Sequence, residues 1–456
     1  MQISFHGACQ EVTGACTLIQ TTCPRQGFGG QKNCNFLVDC GMFQGSQNSQ
    51  NKNKASFGFN AKKINFVLLT HAHIDHCGRL LKLFQQGFSG KIYSTEATKD
   101  LTQIILLDFV KINQRKNQNG QYTNKDVEKV IKSFRPFIYN KKIKITSNIN
   151  IRMKDAGHIL GSSIFEVWIK YLNSTEKKLV FSGDLGNPPA PIIKDPEFID
   201  KADILFIEST YGGRLHEPKE IGKELLKDSI FRTIQNKSTL ILPVFALERS
   251  QEVLYELNYL VENKIIPQLP IFFDSPLAID AVKIYRKHKN LYDQEARGLI
   301  NSGDDIFDFP NLRFTKTRDQ SIKINTSIPP KIILASSGMC TGGRIPHHLK
   351  RYLENPKNHV LIMSFQAQGT LGRELIEGAK NVIINDQMVD VNCQISQINS
   401  YSAHADHNQL LSWIHQIEGL NKIFIMHGEA QENRALAKDI QQIETIIPEY
   451  GKKYSI

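Results

Sequence analysis

The chain has 456 residues, with 56 Lys and Arg against 45 Asp and Glu, a formal charge of +11, and 41% hydrophobic and 22% charged residues. This composition belongs to a folded chain of two or three domains and excludes intrinsic disorder as its main description. No apolar run reaches the roughly 18–20 residues of a membrane span, so an integral helical membrane protein is excluded as well. The opening segment MQISFHGACQ lacks the basic and then apolar layout of a signal peptide and reads directly as a strand, which places the chain in the cytoplasm. Further short β-branched segments follow as strands: ACTLIQT, NFLVDCG, NFVLLT and KIYST. CPRQGFGGQKNC interrupts them as a hairpin excursion, and GSQNSQNKNK (45–54) reads as a solvated loop. Helical periodicity takes over in EATKDLTQIILLDFVKIN and in TNKDVEKVIKSF, the second capped by Thr123 or Asn124. Strands resume with IKIT, INIRMKDAG, SIFEVWIKY, KKLVFSGD and ADILFIEST.

From about Tyr211 the rhythm changes to helices alternating with short all-apolar strands, TLILPVFA, IFFDSP, KIILASSG and HVLIMSF among them. That alternation predicts a parallel sheet wrapped by helices, with function at the carboxyl ends of the strands. After about Gln394 the chain returns to strand, histidine and helix: ISQINSYSAHAD, NQLLSWIHQI, KIFIMHGE. The organisation predicted is residues 1–210 and 395–456 as one α/β domain, interrupted by a second at 211–394. The eight cysteines form no C-x-x-C pair and fit neither a disulfide framework nor a four-thiolate zinc site. The positive excess permits contact with phosphates without requiring it.

The segment THAHIDH directly after NFVLLT carries the strongest chemical signal. His71 and His73, at i and i+2 on an extended segment, point to the same side, and a turn into a helix presents Asp75 and His76 nearby. Imidazole and carboxylate together are the ligand set of zinc rather than of magnesium or calcium. His158 in DAGHILGSS, Asp184 in VFSGDLG and His427 in IFIMHGE stand at similar strand ends, where each alone is equally an ordinary turn residue.

Taken in order, VDCGMFQG (Asp39), HAHIDH, AGHILGS, SGDLG, ESTYG (Glu208), SAHAD (His404) and HGE (His427) resemble the metallo-β-lactamase superfamily and, within it, the β-CASP family of nucleic-acid-processing hydrolases. PVFALERSQE, FFDSPLA, SSGMCTGGR and QAQGTLGR resemble the domain inserted in that family. The chain is similar to the RNA-cleaving group that includes the endonuclease subunit of the cleavage and polyadenylation machinery and its short prokaryotic relatives. The resemblance implies an α/β fold, a metallo-β-lactamase αββα sandwich with an inserted β-CASP α/β domain whose parallel sheet is flanked by helices. It implies two zinc ions: His71, His73 and His158 on one, Asp75, His76 and His427 on the other, Asp184 bridging them and Asp39 orienting a ligand or the bridging water. Glu208 and His404 form the extra pair of the β-CASP proteins, and the presence of His427 favours RNA over DNA.

Two such zinc ions would lower the pKa of a water between them and clamp a phosphate oxygen. His404, kept protonated by Glu208, is then the general acid for the leaving 3′-oxygen. The expected activity is hydrolysis of single-stranded RNA, endonucleolytic and possible also from the 5′ end, leaving 5′-phosphate and 3′-hydroxyl ends. The alternatives are a non-catalytic RNA-processing scaffold subunit, a hydrolase of a small ester or thioester, and a DNA nuclease. A homodimer is compatible with a chain lacking partner domains. Ser275, Ser337, Gly338 and Arg344, at predicted strand-to-helix turns, are either phosphate ligands or capping serines, a turn glycine and a surface arginine. Phe272, Phe273 and Phe365 either stack on bases or belong to the core, and KIYRKHKN (283–290) reads as a solvated helix face. The chain departs from the family pattern at Glu248 and Ser364, where Gly is usual; the added carboxylate would weaken or redirect phosphate binding.

Overall fold

A computed structural model describes residues 1–24, 31–45, 47–115, 121–171 and 175–456. The chain forms two units, Met1–Leu215 with His404–Ile456, and His216–Ala403. In the first, the strands are β1 (Gln2–Phe5), β2 (Thr17–Pro24), β3 (Gln31–Val38), β4 (Phe66–Leu68), β5 (Lys91–Ser94), β6 (Phe134–Pro136), β7 (Ile143–Lys144), β8 (Ile149–Asp155), β9 (Ser163–Lys170), β10 (Glu176–Phe181) and β11 (Ile204–Glu208). The second contributes β12 (Thr239–Pro243), β13 (Ile271–Asp274), β14 (Leu312–Phe314), β15 (Lys331–Ala335), β16 (His359–Ile362), β17 (Asn381–Ile384), β18 (Gln387–Asp390) and β19 (Gln394–Gln397). The chain then returns to the first unit with β20 (Lys422–Met426), β21 (Glu444–Ile446) and β22 (Lys453–Ser455).

The first unit holds two seven-stranded sheets, ordered β22-β1-β2-β3-β4-β5-β6 and β21-β20-β11-β10-β9-β8-β7. Strand alternation sends Ile3, Phe5, Ile19 and Phe36 from one sheet and Ile151, Phe165, Phe206 and Phe424 from the other into one shared apolar layer. The opposite side of the second sheet packs Ile164, Val180, Leu205 and Ile423 against Trp413, Ile414 and Leu436 of the helices His407–His415 and Ala430–Asp439. In the second unit, β14-β13-β15-β12-β16-β19 form a wholly parallel sheet. Its central strands β12 and β15 are buried at every position, which is why, after Thr239 and Lys331 at their starts, they read as apolar runs rather than alternating ones. Among the described residues, no helix is long and apolar enough to cross a membrane.

Several sequence expectations change. Residues 45–54 are not all loop: Gln47–Lys54 is a helix with no apolar face. Tertiary contacts hold it, with Asn53 bonded to both backbone groups of Phe43 and Lys52 paired with Glu11 at 2.8 Å. The CPRQGFGGQKNC excursion continues the β2–β3 hairpin, whose ladder runs on to Cys23↔Lys32 and Pro24↔Gln31; residues 25–30 lie outside the described residues. Thr123, not Asn124, caps its helix, in a capping box with Asp126. The chain re-enters the first unit after Ala403 rather than near 394, because β19 pairs with β16. Phe272 and Phe273 are buried and serve the core of the second unit, not a stacking surface.

Candidate metal centre

The second sheet positions three of the candidate residues by register. Phe181, Phe206 and Phe424 are neighbours across β10, β11 and β20, with ring centroids 4.2 and 5.0 Å apart in stacked pairs. This aromatic row lies two or three residues before Asp184, Glu208 and His427, so pairing that aligns the rings also brings the polar strand ends together. On the first sheet, β4 leads to Thr70, and the extended segment through His73 turns into the helix Ile74–Cys77, whose N–H groups at His76 and Cys77 bond His73 O. Gly41 makes room for that turn: a Cβ there would sit 1.4 Å from Asp75 O.

The donor atoms converge. His71 Nε2 and His158 Nε2 each lie 3.1 Å from His73 Nδ1, and 3.5 and 3.6 Å from Asp184 Oδ2. His427 Nε2 lies 3.1 Å from His76 Nε2 and 3.6 Å from Asp75 Oδ2. The same Asp184 Oδ2 is 3.3 Å from His76 Nε2 and so belongs to both groups. Tetrahedral zinc, with bonds of about 2.0–2.2 Å to N and O, sets its donors about 3.3–3.6 Å apart; the spacings to the carboxylates fall in that range and the imidazole–imidazole spacings of 3.1 Å lie just below it.

Electrostatics point the same way. Burial, reinforced by the facing imidazole of His76, drives the pKa of His71 well below its usual value, and burial brings His73 to about 4, so both present lone pairs. Burial alone would raise the Asp184 carboxyl, but His427, His76 and His71 outweigh it and hold it well below the usual range. For His76 burial is again opposed, here by Asp184 and Asp39, which raise it well above normal: the cluster calls for positive charge between its carboxylates. Asp184 Oδ1 is buried and accepts no hydrogen bond among the described residues. A cavity of about 30 Å³ bordered by Asp39, Asp184, Glu208 and His427 leaves room for water beside it. Neutral imidazoles, an ionised carboxylate and an unsatisfied buried oxygen are the donor forms a cation needs.

Asp39 and two threonines that sequence reasoning did not single out orient these donors. Asp39 Oδ2 accepts from His76 Nδ1 at 2.8 Å, and Asp39 Oδ1 from Thr70 N at 2.8 Å. Thr70 Oγ1 lies 2.9 Å from Asp39 Oδ2 and 3.1 Å from His71 Nδ1. A carboxylate can only accept, so the single hydroxyl proton goes to Asp39 and His71 Nδ1–H donates to the threonine, leaving His71 Nε2 as the lone-pair atom. Thr210 repeats the device: its Oγ1 is 3.1 Å from His427 O and 3.2 Å from His427 Nδ1. The carbonyl takes the hydroxyl proton, and His427 Nε2 is freed towards Asp75 and His76. The signal available was position alone, Thr before the first histidine and Thr two residues after Glu208. Threonine just after a strand is too common for that to stand out.

His404 Nδ1 lies 3.0 Å from each Glu208 oxygen and 3.9 Å from Asp184 Oδ2. Glu208 is itself fixed by Leu185 N at 2.7 Å. Burial depresses the His404 imidazole, but Glu208 and Asp184 outweigh it and raise its pKa to about 9. Side-chain exposure is 19% at His404 and 16% at Asp75 but 3% or less at His71, His76, His158, Asp184 and His427, which marks the open side of the centre.

Ser275, Ser337, Gly338 and Arg344 belong to the chain's second unit, after β13 and β15, and hold their own loops. Ser275 caps the helix Pro276–Lys287 and meets Ser336 Oγ at 2.8 Å. Ser337 closes a turn onto Gly342, and Gly338 O accepts from Gln366 Nε2 at 2.9 Å and from Ser364 Oγ at 3.2 Å, so the unusual Ser364 is absorbed internally. The Arg344 fork, read as either a phosphate ligand or a surface arginine, is engaged by Asp274, Thr315 O and Lys316 O. Glu248 is 2% exposed and accepts from Tyr285 Oη at 2.5 Å, which turns its carboxylate into the interior.

Family models match three stretches: a metallo-beta-lactamase superfamily domain over 31–184, a Beta-Casp domain over 250–375, and a Zn-dependent metallo-hydrolase RNA specificity domain over 388–448. The chain is 34% identical over 439 residues to ribonuclease TTHA0252 of Thermus thermophilus, covering 96% of this chain and 95% of that one. It is 32% identical over 457 residues to an RNase J-like protein of Methanocaldococcus jannaschii, 98% of each chain. With the transcription termination factor FttA of the same archaeon it shares 28% identity over 462 residues, 98% of this chain and 70% of that protein.

Proposed function

The chain belongs to the β-CASP family of metallo-β-lactamase hydrolases, and from that premise we propose that it is a zinc-dependent ribonuclease that cuts single-stranded RNA to 5′-phosphate and 3′-hydroxyl ends. The observation that carries the reading is the Glu208–His404 pair set 3.9 Å from Asp184 on the open side of a seven-residue donor cluster. A thioester's thiolate leaves without such a proton donor, whereas a phosphodiester's 3′-oxygen leaves as a basic alkoxide that needs one. Relatives named as a ribonuclease and as RNase J-like, and the matched RNA specificity domain, support RNA as the polymer.

His71, His73, His158 and Asp184 would hold one zinc ion, and Asp75, His76, His427 and the shared Asp184 oxygen the other. Bound there, the pair would supply a water acidified towards neutrality and a clamp on a phosphate oxygen. Asp39, Thr70 and Thr210 keep the imidazole nitrogens facing the right way. Glu208 accepts the Nδ1 proton of His404, which leaves Nε2–H for the departing 3′-oxygen. In this reading Ser275, Ser337, Gly338 and Arg344 act on RNA indirectly, through the shape of the loops they hold.

The test uses uniformly and 5′-end-labelled single-stranded RNA with wild-type protein, His404→Ala, and protein stripped of zinc. Cleavage to 5′-phosphate products by wild type, with both controls inactive, is the expected result, and the product ladder separates internal from end-directed cutting. A protein that carries two zinc ions and cuts only matched DNA, only small esters, or nothing overturns it.

A further inference from the structure

The outward side of β7–β10 carries a charge and aromatic pattern that the metal centre does not use. In β8 the burial alternates strictly, with Ile149, Ile151 and Met153 turned into the inter-sheet core. Asn150, Arg152 and Lys154 therefore look outward, and so do Glu166, Trp168 and Lys170 of β9. The ladder aligns Lys178, Trp168, Asn150 and Lys144 in a single row across four strands. Nearer the metal centre this face is covered, where Ile164 and Val180 pack under helices; at Trp168 the ring is half-exposed.

Trp168 is ringed by cations: Lys142 Nζ lies 3.8 Å from its centroid, Lys178 Nζ 5.1 Å and the Arg152 guanidinium 5.4 Å. Glu166, fully buried beneath, takes the Arg152 fork and Lys178 and so holds those two side chains over the sheet. Lys142, Lys144 and Lys170 are exposed and enter no ion pair among the described residues. Six basic side chains (these three, Arg152, Lys154 and Lys178) thus share this face with Glu166 and Glu176, and with Asp200 and Glu197 near Arg152, around an aromatic ring.

We propose that this face is a second binding surface for single-stranded RNA, distinct from the metal centre, on which Trp168 stacks a base and Lys142, Lys144 and Lys170 contact phosphates. The proposal rests on the ribonuclease reading above. A net positive surface is complementary to the phosphate backbone, and an aromatic ring among cations is how sequence-independent binders hold a single strand. Distance links the two sites. The N–H of Ser163, at the start of β9, bonds Thr70 O at 2.9 Å beside the metal centre. Trp168 lies five residues further along the same strand, roughly 17 Å away at the usual strand rise. An RNA engaged at the centre and long enough to pass the helices that cover Ile164 and Val180 has the reach to contact this face.

The experiment compares wild type with a triple variant, Lys142→Gln, Lys144→Gln and Lys170→Gln, and with Trp168→Leu, on a tetranucleotide and on a 30-mer RNA. The three lysines are exposed and the variants leave Glu166 and its partners in place, so folding is retained. Expected is a KM for the 30-mer raised about fivefold or more in each variant, with kcat and the tetranucleotide KM unchanged. For the triple variant the log–log salt slope of 30-mer binding falls by up to about 2. A 30-mer KM that is unchanged, or that changes together with the tetranucleotide KM, overturns the proposal. So does an effect confined to binding of polyglutamate, which would give the face to an acidic protein. If zinc-loaded wild type cuts neither RNA, the ribonuclease reading fails on its own. Anisotropy of the labelled 30-mer, weakened in the variants or not, then decides for or against the surface.

Discussion

The metal centre and the Asp274 cluster are built from the same residue types at the carboxyl ends of strands, yet only one of them is complete. Asp274 receives His348 Nε2 at 2.7 Å, Ser321 Oγ at 2.6 Å, Thr315 Oγ1 at 2.5 Å and the Arg344 guanidinium. Burial alone would raise its carboxyl; these donors hold it below the usual range. Around Asp184, by contrast, imidazole nitrogens face one another at 3.1 Å, and one carboxylate oxygen has no donor among the described residues. Counting donors against acceptors separates a structural cluster from one that needs an ion, where residue type and position alone do not.

The sharpest break in that comparison comes from removing each aspartate. Asp184→Ala is expected to lower activity by more than about a thousandfold, since both groups of donors share its oxygen. Zinc content measured on the purified variant should fall with it; retained zinc and activity would refute the shared-oxygen geometry. His404→Ala should cost about 10²–10⁴ in kcat with zinc content unchanged. His404 acts while protonated, so activity is present below its pKa and lost as pH rises through it. With a folded value near 9, lowered further by bound cations, the alkaline limb should fall at or below about pH 9 and move down in Glu208→Gln. Asp274→Ala should leave the zinc content alone and cost about 3–5 kcal/mol in urea unfolding, because Arg344 then loses its one acidic partner among the described residues.

Thr210→Val refines the comparison within the metal centre itself. It removes the hydroxyl that fixes the His427 tautomer, and zinc affinity measured against a chelator should fall about 10–100-fold, with Thr210→Ser restoring it. The contrast between the two threonines and their neighbours also shows what a sequence can and cannot disclose. His71 to His76 were legible because four donors within six residues at a strand end are rare. Thr210 was not, because its role depends on His427, 217 residues away. Arg344 was left open between two roles for a related reason: sequence shows the fork but not Asp274, 70 residues upstream, which engages it. The alternating apolar strands and helices of the second unit were legible because burial on both faces leaves β12 and β15 apolar beyond their first residues, Thr239 and Lys331. The helix at Gln47–Lys54, held by side chains of other segments, had no such pattern to give it away.

Glu248 tests the complete side of the comparison with the smallest effect. It is a non-glycine residue at φ 62° and ψ −66°, and the N–H of Arg249 bonds Leu247 O at 2.9 Å across it, a tight three-residue turn of the strained hand. Holding a side chain there costs about 1–3 kcal/mol, a cost that glycine would avoid. What the chain gains in return is the bond from buried Tyr285 Oη to the Glu248 carboxylate. Glu248→Ala loses that bond and keeps the strain; Glu248→Gly loses the same bond and releases it. The glycine variant should therefore be more stable than the alanine variant by about 1–2 kcal/mol, the reverse of their order in a helix. Urea midpoints of the two variants in a Tyr285→Phe background isolate the backbone contribution, since the hydroxyl is then absent from both. An alanine variant as stable as the glycine variant would mean that the turn relaxes, and that the Tyr285 bond rather than family habit sets the conformation of Glu248.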